Sequence, residues 1–282
     1  MPADRRRPAG PAIIRPEITS PANARIKRLV ALRRRRTREA AGVILVEGRQ
    51  ELELALAAGV RPWQLYWCPE LAGADAAGLT CRAELLGAEV VSVSGPVFGK
   101  IAYRESPDGW LAVMPPVRTD LERLELGGRP LLLICEGVEK PGNLGAMLRT
   151  ADAAGVTALI AADSVTDWGN PNVVRASKGT IFSVPVASAS TSAVLAWLRG
   201  KELAVAAATP DAELPVTDAD LSGPAALVVG SEAAGLSPRW LGEADVRVRI
   251  PMFGLADSLN VATAAAILTY EAVRQRGLRG SR

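Results

Sequence analysis

The 282-residue sequence contains no histidine. This removes the side chain most often used as a general base near neutral pH, and the commonest metal ligand. Any chemistry must therefore rest on carboxylates, Lys, Arg, hydroxyls or backbone groups, and no metal is expected. Cysteine is scarce as well. Cys68, Cys81 and Cys135 are odd in number and show no CxxC spacing, which argues against a disulfide framework or a thiolate zinc site and fits a reducing cytoplasm. Aromatic residues make up 4% of a chain that is 49% hydrophobic, so the cores must be built from Ala, Val and Leu. No apolar run approaches the ~20 residues that span a bilayer. No apolar segment follows the basic, Pro-rich MPADRRRPAG, so a secretory signal is not expected either. The GxGxxG of a dinucleotide-binding turn is missing after the first strand of either half. GPVFGK (95–100) is one residue too short for a phosphate loop and lacks the following Ser or Thr, so it reads as a turn.

What is present is unevenly distributed. The net charge of +3 conceals twelve Lys and Arg against three Asp and Glu in residues 1–40, and 21 against 27 in the other 242. A concentrated basic segment on a mildly acidic chain is a nucleic-acid footprint; a solvated arginine-rich helix face, or a compositional excess of Arg over Lys, is the plainer alternative. Residues 1–16 read as a disordered basic start. From Asn23 to Ala41 the apolar stripe Ile26, Leu29, Val30, Leu32 predicts a helix, with Arg33, Arg34, Arg35 and Arg36 on and around it. Strands at 43–48, 63–68, 89–94 and 110–116 alternate with helical stretches, giving a small α/β domain over 17–116.

A charged, Pro- and Gly-bounded linker at 117–129 separates it from a second domain over 130–282. PLLLICEGV opens that half as a continuous apolar run, the signature of a parallel strand buried on both faces. Similar runs recur at 156–162, 182–187, 202–209, 225–231 and 246–251. The second domain is thus predicted to be a doubly wound, mostly parallel α/β sheet with its ligand crevice beyond the carboxyl ends of the strands.

Three segments fall at such strand ends. In EKPGNLGAMLRTADAAG (139–155), Asn143 sits where a helix starts and Arg149 lies six residues along it; alternatively these are a cap and a surface residue. In VVGSEAAGLS (228–237) a turn of small residues carries one carboxylate, Glu232, which could equally be a capping group. In IPMFGLADSLNVATAAA (250–266) a Pro–Gly turn leads to Asp257, Ser258 and Asn260 at the start of an almost wholly apolar helix. One of these would suffice as a cap. Three suggest a loop holding a ligand at a helix N-terminus, with a richly decorated cap as the alternative.

Together the segments resemble the SpoU (TrmH-like) family of RNA ribose 2′-O-methyltransferases, within the SPOUT superfamily. The family's Asn, Gly, then Arg-Thr-Ala pattern is met by NLGAMLRTA (143–151). Its Gly-x-Glu-x-x-Gly-Leu is met by GSEAAGL (230–236), and its Ile-Pro-Met … Ser-Leu-Asn-Val by Ile250–Met252 and Ser258–Val261. RASKGTIFSVPV (175–186) resembles the intervening Ala-Ser-x-Gly segment. The first half looks like the L30e-like RNA-binding domain that many members carry.

The resemblance implies a C-terminal SPOUT domain with a deep trefoil knot, S-adenosyl-L-methionine as cofactor, a homodimer, and a structured RNA substrate, above all 23S rRNA. Some relatives of this kind protect a producer's ribosome from thiostrepton or avilamycin. Carried over, Gly230, Ile250 and Leu259 contact the cofactor, with Thr209, Met252 and Ala262 lining its pocket. Arg149 is the candidate for orienting the RNA and assisting proton removal. Asn143 and Ser258 would hold the ribose or that Arg, Asn260 would order the loop, and Glu232 would fix Arg149 or the loop. Lys27 and Arg33–Arg36 are the candidate phosphate contacts. A tRNA methyltransferase and a non-catalytic RNA-binding protein of the same fold are the alternatives.

Overall fold

Five strands form the first sheet: β1 (Glu17–Ile18), β2 (Ile44–Glu47), β3 (Gln64–Trp67), β4 (Glu89–Val93) and β5 (Trp110–Met114), in the order β1-β4-β3-β5-β2. The computed structural model describes residues 17–73 and 76–280, with side chains to Gly277; the segment 1–16, expected to be disordered, lies outside the described residues. β5 runs antiparallel to β2 and β3, while β4 is parallel to β1 and β3. Two local expectations change here. GPVFGK is not a turn: Gly95–Ile101 forms a helix that buries Val97, Phe98 and Ile101. Its apolar spacing is helical and Pro96 sits in the first turn, where its missing N–H costs nothing. The helix predicted from Asn23 to Ala41 is in fact two, Ala24–Ala31 and Arg35–Ala41. The first is capped by the Asn23 side chain, which accepts from the Arg25 amide at 2.8 Å.

The second sheet is wholly parallel. It contains β6 (Leu131–Glu136), β7 (Ala158–Ala162), β8 (Val186–Ala189), β9 (Ala204–Ala208), β10 (Leu214–Pro215), β11 (Ala225–Val229) and β12 (Val246–Arg249), ordered β10-β12-β9-β11-β6-β7-β8. The continuous apolar runs have the expected cause. In β6, Leu131, Leu133 and Cys135 join one core while Leu132 and Ile134 join the other, on the opposite face. The strand expected at 182–187 starts only at Val186, because Gly179 leads into a 3-10 turn at Thr180–Phe182.

The two sheets share packing rather than merely a tether. Ile44, Val46 and Met114 of the first belong to the same core as Leu133, Leu148 and Trp168 of the second. Arg38, only 4% exposed, donates to the Asp167 carboxylate at 3.1 Å. A Cβ at Gly169 would press on the Ile44 side chain at 2.7 Å, and one at Gly179 (φ +88°) on Leu54 at 2.8 Å, so these glycines permit the close approach of the two domains. The linker takes part: Leu121 is buried, and the Thr119 carbonyl accepts from the Ser188 amide at 2.9 Å.

Candidate active site

The chain leaves β6 toward β7 on one side and leaves its neighbour β11 toward β12 on the other, so the loops after β6 and β11 diverge and open a crevice at their carboxyl ends. The loop after β6 enters the helix Pro141–Ala154. The loop after β11 is the tight turn 231–235, closed by paired backbone hydrogen bonds between Ser231 and Gly235 of 3.1 and 3.0 Å. A Cβ at Gly230 would fall on the Gly235 carbonyl and the Leu236 amide, so the turn folds back on its own strand only because residue 230 is glycine.

That turn holds Glu232 against the start of the Pro141–Ala154 helix. The Asn143 amide donates to the Glu232 carboxylate, and Lys140 Nζ lies 3.6 Å from it. On its other side, Asn143 Oδ1 accepts from Asn260 Nδ2 at 3.2 Å. Asn260 is itself the cap of the last helix, Val261–Gly280: its Oδ1 accepts from the Ala262 and Thr263 amides at 3.0 and 3.4 Å. Three sequence-distant segments are thus tied by one chain of side-chain hydrogen bonds, Asn260 to Asn143 to Glu232.

Beside this chain, at the ends of β9, β11 and β12, lies a cleft of about 220 Å³. Thr209, Gly230, Ile250, Met252 and Leu259 line it, as do Glu232 and Ser258. Ala262 does not: it points into the core and is 8% exposed, because the helix begins only at Val261 and residue 262 falls on its inward face. Asp257 and Ser258 precede the helix in an exposed loop and line the cleft. Of the three polar residues there, Asn260 alone accepts from helix amides.

Arg149 lies apart from Glu232, which leaves the loop as the part that Glu232 fixes. Arg149 is exposed and makes no hydrogen bond or ion pair among the described residues. Six residues carry it ~9 Å along the axis from Asn143 and about 120° around the helix. Glu232 therefore fixes Asn143 and Lys140, and not Arg149. Instead Arg149 shares a face with Gly145, one turn earlier, where a Cβ would press on Ala176 at 2.5 Å. The Ala-Ser-x-Gly segment thus packs directly against the helix that carries Arg149.

The arginine run divides in two. Arg33 donates to the Lys100 and Ala102 carbonyls, both at 2.8 Å, with its guanidinium 5.3 Å from the Tyr103 ring centre. Arg35 pairs with Glu39 at 2.7 Å and reaches Asp167 and the Val165 carbonyl. Lys27, Arg34 and Arg36 are exposed. The break between the two helices causes the division, since it turns successive residues toward different neighbours.

Sequence reasoning missed Glu136, at the end of β6. It accepts from Thr191 Oγ1 at 3.0 Å and from the Ser237 amide at 2.7 Å, tying together the loops after β8 and β11. A carboxylate ending an otherwise apolar strand was the available signal. Lys140 was also missed; its place next to the Pro141 helix start was the clue. Among the described residues no cluster of three or more metal-ligating side chains occurs, and no helix is long and apolar enough to cross a membrane.

Comparison with known proteins gives a consistent picture. Residues 130–270 match the SpoU rRNA Methylase family, and residues 23–112 match an MRM3-like substrate binding domain. A Bacillus subtilis 23S rRNA (guanosine(2553)-2′-O)-methyltransferase is 31% identical over 90% of this chain and 98% of its own length. A Streptomyces viridochromogenes 23S rRNA (uridine(2479)-2′-O)-methyltransferase is 38% identical over 61% of this chain; the alignment spans 62% of that relative. The crystal structure of an AdoMet-bound rRNA methyltransferase from Sinorhizobium meliloti superimposes with a TM-score of 0.84 at 30% identity, covering 92% of this chain and 97% of that one.

Proposed function

Because this chain belongs to the SpoU rRNA methylase family, we propose that it is an S-adenosylmethionine-dependent RNA ribose 2′-O-methyltransferase acting on 23S rRNA. The observation that carries this reading is the Asn260–Asn143–Glu232 hydrogen-bond chain on the rim of the Gly230–Ile250–Leu259 cleft.

The cleft suits the cofactor chemically. Its walls combine apolar Val229, Val248 and Leu259 with the backbone of Gly230 and two carboxylates, Glu232 and Asp257, and the bare Gly230 keeps the turn tight beside it. Bound there, S-adenosylmethionine supplies a methyl group already activated by its sulfonium charge. The protein must then position a ribose 2′-hydroxyl in line with that methyl and help its proton leave. Asn143, with both ends of its amide held, is a rigid polar group bonded to Glu232 of the cleft wall. Ser258 lines the same cleft and is available to the ribose. The planar guanidinium fork of Arg149 is suited to gripping the phosphate beside the target ribose.

The exposed Lys27, Arg34 and Arg36 supply phosphate contacts on the first domain. Replacing all three with Ala should flatten the slope of log Kd against log salt by about 2 to 3, read by filter binding between low and moderate salt. An unchanged slope would remove these residues from the interface.

We further infer a homodimer and a trefoil-knotted C-terminal region formed around the 230–236 and 250–260 loops. Phe253 and Leu255 stand fully exposed in the second loop. Ile267 and Tyr270, at i, i+3 spacing on the last helix, are 39% and 50% exposed; such an apolar surface is typical of a subunit contact. The cysteines are all unpaired, with Cys68 and Cys135 buried, which fits action in the cytoplasm.

The deciding experiment supplies labelled S-adenosylmethionine with 23S rRNA, 16S rRNA and tRNA. Methyl transfer to 23S rRNA is expected, with the 2′-O-methyl mapped by primer extension at low nucleotide concentration. Transfer to none of the three would overturn the reading.

A further inference from the structure

All seven strands of the second sheet are parallel, so their carboxyl ends share one edge, and that edge carries two openings. The first is the cleft at β9, β11 and β12. The second, about 510 Å³, lies at the ends of β7 and β8, between the two domains. With strands ~4.8 Å apart, β6 and its neighbours separate the two openings by roughly 15 Å along the edge.

The walls of the second opening have contrasting chemistry. The first domain and the linker contribute Val43, Ile44 and Val117, with Arg38 and Glu39 beside them; the second domain contributes Asp163, Asp167, Ser188 and Ser190. Arg35 belongs to the same lining, where Glu39 and Asp167 neutralise it. The opening is preformed, because the Arg38–Asp167 pair and the Ile44–Gly169 contact hold its two sides in place. An apolar wall facing a row of hydrogen-bonding groups matches a nucleobase, which has a flat face and a polar edge. Sequence-selective proteins read RNA largely through unpaired bases splayed into such sites.

We propose that this inter-domain cleft holds an unpaired nucleotide of the substrate RNA, near the one that is methylated, with its base against Val43 and Val117 and its polar edge toward the serines of the facing wall. The site rests on the RNA methyltransferase reading and adds to it a place where substrate identity is read, by both domains together. It also gives the tight docking of the domains a purpose: a loose first domain would leave one wall of the site undefined.

Ser188 tests the idea. It is exposed on the edge strand β8, and its hydroxyl makes no hydrogen bond among the described residues. An aromatic residue is well tolerated at such a strand position, so Ser188→Trp fills the cleft without touching the cofactor site. The KM for 23S rRNA should rise about tenfold, the loss of one base contact, with cofactor affinity and kcat within twofold of wild type. Independently, ultraviolet cross-linking of wild-type protein to 23S rRNA should place a nucleotide on the peptides containing Asp163 or Ser188. Normal KM in Ser188→Trp, together with no cross-link at those peptides, would overturn the site while leaving the enzyme assignment standing. Cross-links there from a wild-type chain that methylates no RNA would do the reverse, sinking the enzyme assignment and keeping the nucleotide site.

Discussion

Arg149→Ala is expected to bind S-adenosylmethionine normally and to transfer methyl groups about 10²- to 10⁴-fold more slowly. The reasoning combines exposure with isolation. Arg149 has no partner within the chain among the described residues, so truncating it removes nothing that holds the fold, and it lies outside the cofactor cleft. Its guanidinium is free for a phosphate, and the loss should fall on positioning of the ribose. RNA affinity should drop only slightly, since one phosphate contact among several is removed. Arg149→Lys keeps the charge without the bidentate fork and should recover a minor part of the rate. Single-turnover transfer measured beside calorimetric cofactor binding checks this. A rate within fivefold of wild type would show that Arg149 does not act at the reacting centre.

Gly230→Ala should have the second large effect, on binding rather than chemistry. The new methyl would land on the Gly235 carbonyl and the Leu236 amide. Those are backbone atoms of a turn held by two hydrogen bonds, so neither can swing aside as a side-chain end would. The 231–235 turn must open, which displaces Glu232 from Asn143 and widens the cleft. Cofactor affinity is expected to fall at least ~100-fold, and stability by about 1–3 kcal/mol, as for an overpacked core site. Gly235→Ala is the informative control. It has open space around its Cβ but a φ of +66°, so its strain costs about 1–3 kcal/mol without a direct clash. Calorimetry and thermal unfolding distinguish the two. Wild-type cofactor affinity in Gly230→Ala would refute the role of this turn.

Much of the architecture was legible because it depends on local pattern. Four of the second sheet's strands, β6, β7, β9 and β11, are visible as apolar runs, since a strand covered on both faces is apolar at nearly every position; β8 and β12, with exposed Ser188 and Arg247, are not covered in this way. The two-residue β10 is too short to leave such a mark. A cap on the last helix was legible from residue type, though not which of Asp257, Ser258 and Asn260 supplies it. The helix at Gly95–Ile101 was misread because Gly95, Pro96 and Gly99 look like turn residues. Burial of Val97, Phe98 and Ile101 outweighed that preference.

The candidate site was legible only in part. NLGAMLRTA, GSEAAGL and IPMFGLADSLN mark three strand ends, and residue type alone marks Asn143, Glu232 and Asn260 as polar groups there. That Glu232 meets Asn143 across 89 residues, and Asn260 meets Asn143 across 117, follows from which strands lie side by side, and no local pattern encodes that. The same holds for the arginine run. Sequence shows four consecutive cations; the break after Ala31 decides that Arg33 and Arg35 serve the protein while Arg34 and Arg36 face solvent.

Composition and local pattern alone sufficed for the absence of histidine chemistry, most of the strand positions, the basic first segment and the presence of a glycine at 230. These are properties of composition, periodicity and single-residue stereochemistry. Packing of the folded chain was needed to bring Glu232 to Asn143 rather than Arg149, to turn Ala262 toward the core, and to close two domains around a second opening on the sheet edge. Those outcomes depend on strand order and domain docking, where groups far apart in the chain become neighbours only after the cores have packed.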